Sequence, residues 1–399
     1  MQRKASLPPT MRAYTEHKFM SRSNPGLRIF LSLLCLILAA LALSTQTSCG
    51  NSHSNQMVCP TCVGGGTGWG LLASGQRDKL LWPFSSNSIW NISIGSDAAY
   101  QAAGIVSNNA GGSSTYFSQD EDVVVMTPSA PSTSVYYSGV GWTGGDRCPA
   151  QGDVIATVPV PADYVLPNSG ENNSGAFLSS DGRTVEQNQP FTRCVAGSPA
   201  TALVAFANTD IYGAGPAGAH GGSGLSALGG TIRLGEFASG KIHHVMKVEL
   251  FAAQYYYCCV FHWPATVIDD YADPTTYGGS NPSLGPGSLL ALSPNFDLSG
   301  LTTAPGKILA QAFIDYGAYV VDDTYWNDWA IATEQGPNGR VADEFATLYG
   351  FPMSPPDNSP FKEDVITIFQ ALQVVTNNSA SSIGGGGTPR VQSPPAIGN

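Results

Sequence analysis

The sequence has 399 residues with 18 basic and 29 acidic side chains, which gives a formal charge of −11 at pH 7. Because the first 48 residues contain six of the basic residues and one of the acidic ones, the remaining chain has a formal charge of −16. Such an acidic surface repels phosphate groups, so the composition argues against binding to nucleic acid or to anionic lipid.

The N-terminal region predicts export. Arg22 and Arg28 precede an apolar run at 29–43, and small residues lead from this run to Cys49. A basic segment, a short apolar core and small residues are typical of a secretory signal peptide. The run is shorter than the ~20 residues that a membrane-spanning helix needs. We therefore predict a signal peptide over residues 1–48.

The residues before Cys49 resemble a bacterial lipobox, in which the cysteine becomes lipidated. Gln46 departs from this pattern, because the motif has leucine or another aliphatic residue there. The resemblance implies a lipid on Cys49 as the link to a membrane. The alternative is secretion of a chain without a lipid.

Composition divides the rest of the chain into three segments. Residues 49–78 are polar and glycine-rich, which predicts a flexible tether. Residues 79–378 are expected to form a single domain, since all-β domains often reach this size range. Residues 379–399 contain a run of glycines and a Ser-Pro-Pro sequence, which predicts a disordered tail.

Short runs of β-branched and aromatic residues, bounded by turn residues, predict strands through the middle of the chain. These runs are residues 123–127, 134–138, 154–160, 202–207, 231–234, 242–251 and 318–321. Helical periodicity comes late, at 305–316, at 341–349 and from Pro360 to about Val374. The pattern predicts a mainly β fold, a β-sandwich or jelly-roll-like single domain with a few packed helices in the C-terminal third.

An even number of cysteines in an exported chain favours disulfides. Cys148 and Cys194 lie in loop-like sequence and are the predicted long-range pair. The CPTC motif at 59–62 has no second CxxC and no histidine partner, which favours a local bridge over a metal or redox site. Cys258 and Cys259 could bond to each other, stay reduced or pair with this motif, and the sequence leaves these alternatives open.

Few established site motifs are present. The sequence has no G-x-S-x-G elbow, no HExxH, no P-loop and no EF-hand loop. Asp322, Asp323 and Asp328 could offer oxygen ligands to Ca²⁺, although acidic loops are common without an ion. No other cofactor is expected.

Carboxylates alternate with aromatic residues in the second half of the chain. Rings that cover the apolar faces of a sugar, beside carboxylates that bond its hydroxyls, are typical of a glycan-binding cleft. The candidate catalytic residues are Glu236, Asp269, His244 and Asp322, and the candidate substrate-binding residues are His220, Arg233, Trp263, Tyr271 and Trp326. In this hypothesis Glu236 and Asp269 supply the acid and the base or nucleophile. The alternative is that the aromatic residues only pack a β core.

The glycine-rich segment 218–230 is predicted to form a loop along one wall of this cleft, with His220 at its tip. Glycine allows the backbone to approach a ligand closely. The alternative is that the glycines only shape turns and that Arg233 and Glu236 form an ordinary surface ion pair.

The predicted strand 242–251 shows how strand alternation bears on the site. His244, Met246 and Val248 share one face, and Lys247 and Glu249 share the other. The first face is apolar, so His244 is either a core histidine or part of a cleft floor. We expect Lys247 and Glu249 to lie on a solvated face.

Five segments carry a resemblance to known sequences. They are PFSSNSIWN (83–91), GGTIRLGEF (229–237), KIHHVMKVEL (241–250), WPATVIDDYA (263–272) and YGAYVVDDT (316–324). In these segments the chain resembles a broad group of uncharacterised secreted bacterial β-rich proteins. The likeness covers about residues 82–350 and implies a shared fold rather than a particular reaction.

Together these features predict an exported, lipid-anchored, glycan-active enzyme of the bacterial envelope, with a polysaccharide or oligosaccharide as its partner. A glycoside hydrolase is favoured over a polysaccharide lyase, because acids outnumber bases among the candidates and an acidic surface repels polyuronates. The alternative is a non-catalytic carbohydrate-binding or structural cell-surface protein.

Overall fold

In the described part of the chain the strands form two sheets, apart from a short strand at 217–220 that makes only isolated bridges. The computed structural model describes residues 68–106 and 116–398, so the predicted signal peptide, Cys49 and the CPTC motif lie outside the described residues. The strands are β1 (Tyr100–Ala102), β2 (Tyr116–Val125), β3 (Ser132–Tyr137), β4 (Val154–Pro159), β5 (Gly175–Leu178), β6 (Thr184–Gln189), β7 (Ala200–Ala202), β8 (Val204–Ala205), β9 (Thr209–Asp210), β10 (Ala217–His220), β11 (Met246–Leu250), β12 (Leu289–Ala291), β13 (Ala318–Asp323), β14 (Asp328–Gly336), β15 (Gly339–Arg340) and β16 (Gln373–Val375).

Three longer helices lie where the periodicity predicts them. The helices are α1 (Glu236–Ser239), α2 (Ala252–Tyr255), α3 (Ala304–Asp315), α4 (Val341–Tyr349) and α5 (Pro360–Ala371), with short 3₁₀ turns at Leu298–Gly300 and Ile383–Gly385. The side chains of Thr303 and Ser359 accept hydrogen bonds from backbone N–H groups in the first turns of α3 and α5. These caps satisfy donors that have no partner within the helix.

The larger sheet runs in the order β1-β16-β12-β13-β11-β14-β2-β5-β6-β8, and the smaller one in the order β4-β3-β7. A mainly β single domain with a few helices in the C-terminal third is thus confirmed. The larger sheet contains both parallel and antiparallel strand pairs. Strand β11 is parallel to β13, and β2 is parallel to both β14 and β5. Parallel strands are buried on both faces, so these central strands need covers on both sides.

Helices cover one face of the larger sheet. Val248 and Trp329 on the sheet share a core cluster with Phe313 of α3 and Phe369 of α5. The rings of Trp329 and Phe369 stack with their centroids 4.9 Å apart. Each such fully buried side chain contributes about 1.5–3 kcal/mol to stability.

The segment 217–230 and the N-terminal part of the domain cover the opposite face. Leu225 and Trp90 pack there in one core cluster with Val245 and Tyr319. The prediction of a solvated face on strand 242–251 is therefore wrong. Lys247 and other residues of this face are buried, because the 217–230 segment lies over them and the Ser226 carbonyl accepts a hydrogen bond from Lys247.

Both ends of the described chain are ordered and meet. The segment 68–78 of the predicted tether contains the buried Arg77, whose backbone pairs with Ile397 and whose Nε donates to the Pro395 carbonyl at 2.6 Å. The prediction of a disordered tail is wrong for 379–398. Its four glycines from Gly384 to Gly387 adopt φ between 67° and 86° and form a turn packed against Ser93 and Ala98.

The prediction of a strand at 231–234 is also wrong. Only a single bridge joins Ile232 to Thr333 there. The chain then turns into α1, because the Leu234 N–H donates to Glu334 and the Arg233 N–H donates to Glu236.

Two disulfides are present in the described part of the chain. Cys148 is bonded to Cys194 with their Cα atoms 5.8 Å apart, which confirms the predicted pair. Cys258 is bonded to its neighbour Cys259, one of the alternatives that the sequence leaves open. No helix among the described residues is long and apolar enough to span a bilayer.

Candidate functional site

Charged side chains lie side by side on two strands in the middle of the larger sheet. Asp120 and Asp122 are two residues apart on β2, and Lys247 and Glu249 are two residues apart on β11. Side chains at this spacing point to the same face of a strand. All four are buried.

Strand β14 lies between these two strands and contributes small side chains. Ala330 pairs with Glu249 of β11, and Ala332 pairs with Asp120 of β2. Methyl groups leave space above the sheet, so the longer acidic side chains can meet across β14. Glu249 and Asp120 are close enough to hydrogen-bond when one of them is protonated.

A bulge in β13 adds a fourth acid. Val248 pairs with Val320, whereas the next residue, Glu249, pairs with Asp322, so that Val321 is the extra residue. A bulge of this kind turns the following side chain toward the other face. As a result Asp322 joins Glu249 on the charged face.

His220 connects these acids. It lies at the end of β10, directly before the turn at 221–224, and is fully buried, so it belongs to a strand end rather than to the tip of the predicted loop. Its Nε2 is 3.0 Å from Asp122 Oδ1 and 3.0 Å from Lys247 Nζ. Lys247 Nζ is 2.7 Å from Asp122 Oδ2 and donates to the Ser226 carbonyl at 2.9 Å. Segment 217–230 therefore closes the cluster from above.

The other nitrogen of His220 has no hydrogen-bond partner. His220 Nδ1 is 3.9 Å from Glu249 Oε1 and 3.9 Å from Asp322 Oδ2. Glu249 Oε1 and Asp120 Oδ2 are also buried without a hydrogen-bond partner. Unpartnered buried polar atoms are rare in native proteins, so a group of them at one point marks this cluster as a candidate ligand site.

Burial and mutual repulsion alter the ionisation of the acids. Burial and the charge of Asp122 raise the pKa of Asp120 to about 6. Burial, Asp120 and Asp322 raise the pKa of Glu249 well above its usual value. Burial also favours a neutral Asp122, but the charges of Lys247 and His220 outweigh it and lower the pKa of Asp122.

A second carboxylate pair lies at the outer end of the cluster. A β-carbon added at Gly222 would be 2.4 Å from Asp322 Oδ1 and 3.1 Å from Asp269 Oδ2. These two oxygens are therefore no more than about 5.5 Å apart. Only glycine at this position leaves the carboxylates their present places.

Tyr277 holds Asp269 in this position. Its hydroxyl donates to Asp269 Oδ2 at 2.5 Å. Asp269 is half-buried, and this burial together with the charge of Asp322 raises its pKa to about 7. The two acids thus differ in environment: Asp322 faces His220 within the cluster, and Asp269 lies nearer the surface.

Exposed aromatic side chains follow Asp269 and Asp322 closely in the chain. The Tyr271 hydroxyl donates to Asp323 Oδ2 at 3.1 Å, and the ring lies 6.2 Å from that of Tyr325. Trp326 packs 5.0 Å from Tyr116. Tyr325 is 75% exposed and Trp326 is 49% exposed, which leaves ring faces available to a ligand.

Glu236 and His244 belong to a different buried group. His244 Nε2 is 3.0 Å from Glu236 Oε2, and the same carboxylate accepts the N–H groups of Arg233 and His243. Within the described residues, the hydrogen-bond partners of Glu236 are different from those of Asp269. The structure therefore brings Asp269 together with Asp322 and places Glu236 with His244.

The remaining candidates are dispersed. Arg233 is buried and pairs with Glu334 at 2.8 Å, so the alternative of a surface ion pair between Arg233 and Glu236 is wrong. Trp263 packs against the core cluster on the charged face of the sheet. Asp323 accepts backbone N–H groups of Ala252 and Tyr325.

The three aspartates considered for Ca²⁺ do not converge. Asp328 accepts a hydrogen bond from the Ser118 hydroxyl, whereas Asp322 faces His220. The residues that converge on a common point are instead His220, Glu249 and Asp322, and on its other side Asp120, Asp122 and His220.

The candidates chosen from the sequence omit five residues of the site, which are Asp120, Asp122, Lys247, Glu249 and Tyr277. The available signal was a pair of charged residues at i and i+2 in two strand-like runs. For β2 the predicted strand begins at Val123, after the acids, although the strand itself begins at Tyr116. For β11 the same spacing is typical of a solvated face.

No family model matches the chain, and no curated protein or solved structure matches it either.

Proposed function

We propose that this chain is an exported glycoside hydrolase in which Asp269 and Asp322 act on the two sides of the scissile bond. The observation that carries the proposal is the approach of their oxygens to within about 5.5 Å over Gly222. The proposal keeps Asp269 and Asp322 from the sequence-based hypothesis and assigns Glu236 to a structural ion pair.

The separation of the carboxylates bears on the stereochemistry. Retaining glycosidases have their two carboxyl groups about 5–5.5 Å apart, whereas inverting enzymes need about 6.5–9.5 Å to admit a water molecule. The upper bound of about 5.5 Å lies below the separation of inverting enzymes, so retention is the outcome that we propose. Asp269, nearer the surface, would protonate the leaving oxygen, and Asp322 would attack the sugar carbon.

The surrounding side chains support a sugar as the ligand. The rings of Tyr271, Tyr325 and Trp326 offer apolar faces on which sugar rings stack, and Asp323 offers an acceptor for hydroxyl groups. The acidic composition favours neutral or basic glycans over polyuronates.

The proposed location is the outer surface of the bacterial envelope, with a lipid on Cys49 as the attachment. Stable attachment requires more than one acyl chain. Mass spectrometry of the mature N-terminus tests this, and a mature chain that begins elsewhere without lipid would refute it.

The reaction is tested with the purified mature protein on a panel of polysaccharides, scored for new reducing ends and for unsaturated products. We expect reducing ends. Asp269→Asn and Asp322→Asn should each lower turnover at least ~100-fold, the range typical for loss of an acid–base group. Asp270→Asn is the matched control, because Asp270 is the exposed neighbour of Asp269 and should leave turnover unchanged.

The panel also separates the alternatives. Unsaturated products would show that the reaction is elimination rather than hydrolysis. Binding that is lost in Trp326→Ala, without any product from the wild-type protein, would instead establish the non-catalytic carbohydrate-binding function. Full turnover in both aspartate variants would remove this pair from the mechanism.

A further inference from the structure

The inner cluster contains more negative charge than its own basic groups can balance. Four carboxyl groups with little or no exposure meet one lysine and one histidine: Asp120, Asp122, Glu249 and Asp322 with Lys247 and His220. Burying an unpaired charge is costly, so a cluster of this composition needs protons or a cation.

The basic groups are already engaged on one side. Lys247 and His220 Nε2 both contact Asp122, at 2.7 Å and 3.0 Å. Glu249 Oε1, Asp120 Oδ2 and His220 Nδ1 are left buried without a hydrogen-bond partner.

We propose that this cluster binds one divalent transition-metal ion through His220 Nδ1, Glu249 Oε1 and Asp322 Oδ2, with Asp120 beside it. These three ligand atoms all lie within 4.8 Å of one another, and the histidine nitrogen is 3.9 Å from each carboxylate oxygen. An ion with bonds of about 2.0–2.2 Å joins two atoms at this spacing when it lies between them.

The independent observation that points to a ligand is the state of His220. His220 Nε2 lies 3.0 Å from Asp122 Oδ1 and 3.0 Å from Lys247 Nζ, which leaves Nδ1 as the nitrogen available to an ion. A carboxylate that orients a histidine in this way is the usual outer partner of a metal-binding histidine. Nδ1 of the fully buried ring then points at Glu249 and Asp322 with no other partner.

The donor set favours Mn²⁺ or Zn²⁺ over Ca²⁺. Calcium takes six to eight oxygen ligands, whereas one imidazole with two or three carboxylates suits ions of intermediate softness. The site differs from the Ca²⁺ position considered from sequence, because only Asp322 is common to both.

The metal site does not depend on the proposed hydrolase activity. Asp322 is common to both, with Oδ2 toward His220 and Oδ1 toward Gly222 and Asp269. Metal binding is measured without a glycan, so failure of one proposal leaves the other intact.

The test uses the mature protein, stripped with a chelator and titrated calorimetrically with Mn²⁺, Zn²⁺ and Ca²⁺ at pH 7. We expect one equivalent of Mn²⁺ or Zn²⁺, with Ca²⁺ binding more weakly. Glu249→Gln and Asp322→Asn should each lower the affinity at least ~10-fold, since even outer-shell changes cost that much. Asp328→Asn is the matched control, a buried aspartate of the neighbouring strand that contacts Ser118 instead.

Circular dichroism of each variant confirms that it folds, and Glu249→Gln is nearly isosteric. The paramagnetic resonance spectrum of bound Mn²⁺ should show coupling to nitrogen, as expected for a histidine ligand. Absence of stoichiometric binding to the wild-type protein would overturn the proposal and leave shared protons as the balance of charge. Equal affinities in the wild type, Glu249→Gln and Asp322→Asn would also overturn it.

Discussion

Glu236 shows how a single residue can suit a catalytic pattern and serve another purpose. It is fully buried, and its carboxylate accepts hydrogen bonds from His244 and from the N–H groups of Arg233 and His243. Burial alone would raise the pKa of Glu236, but His244 and these hydrogen bonds hold it at about 2. The residue thus ties the start of α1 to the segment before β11.

This ion pair predicts a pH window for stability. The pKa of Glu236 is lowered, so its contribution is present above its unfolded value near 4.5 and is lost as the pH falls toward 2. Burial opposes the charged form of His244, but Glu236 raises its pKa, so its contribution is complete below about pH 6.5 and is lost at higher pH. The pair therefore stabilises the fold most between about pH 4.5 and 6.5.

Thermal unfolding of Glu236→Gln across this range checks the prediction. Loss of one partner of a buried pair should cost about 3 kcal/mol at pH ~5.5, and the cost should shrink at both ends of the window. Glu363→Gln, a change at an exposed acid of α5, is the control. A pH-independent difference would mean that the pair is not ionised.

At the scale of elements, alternation correctly separates the two faces of β11 but does not show which face is exposed. Lys247 and Glu249 share a face as predicted, yet that face is covered by segment 217–230. The Ser226 carbonyl that Lys247 contacts lies 21 residues away in the sequence, so no local pattern predicts this cover. The bulge that turns Asp322 inward depends on pairing with β11 and is equally non-local.

Helices are predicted more closely than strands, because their ends have local signals. α4 has the predicted bounds, and α5 begins at Pro360 after the Ser359 cap. The short strands depend on distant partners. The 231–234 run, for example, has strand-like residues but finds only one bridge.

The disulfide gives a prediction at this scale. Cys148 lies between β3 and β4, and Cys194 lies between β6 and β7, at a sequence separation of 46. Replacing both by serine should lower the free energy of unfolding by about 4 kcal/mol in the chain-entropy model.

Chemical denaturation of the Cys148→Ser/Cys194→Ser protein, compared with the wild type under non-reducing conditions, measures this effect. The same substitutions should leave the metal affinity unchanged, because neither cysteine contacts the charged cluster. An unchanged denaturation midpoint would contradict the prediction.

For the whole molecule, composition and periodicity predict the class and little of the arrangement. A mainly β domain with late helices follows from the runs of β-branched residues and from the 3.6-residue pattern of α3 and α5. The mixed order of the larger sheet does not, since it places strands from distant parts of the chain side by side. The site combines residues of β2, β10, β11 and β13. Because these strands are distant in the sequence, only some of the site residues could be predicted from it.

The meeting of the two ends of the described chain has a consequence for how the domain could be rearranged. Arg77 N–H donates to the Ala396 carbonyl at 2.9 Å, and Gly398 N–H donates to the Arg77 carbonyl at 2.8 Å. A short peptide could therefore join the segment at Arg77 to the segment at Gly398. A circular permutant that joins these segments and begins at another loop would contain the same elements in a different order, and we expect it to reach the same fold.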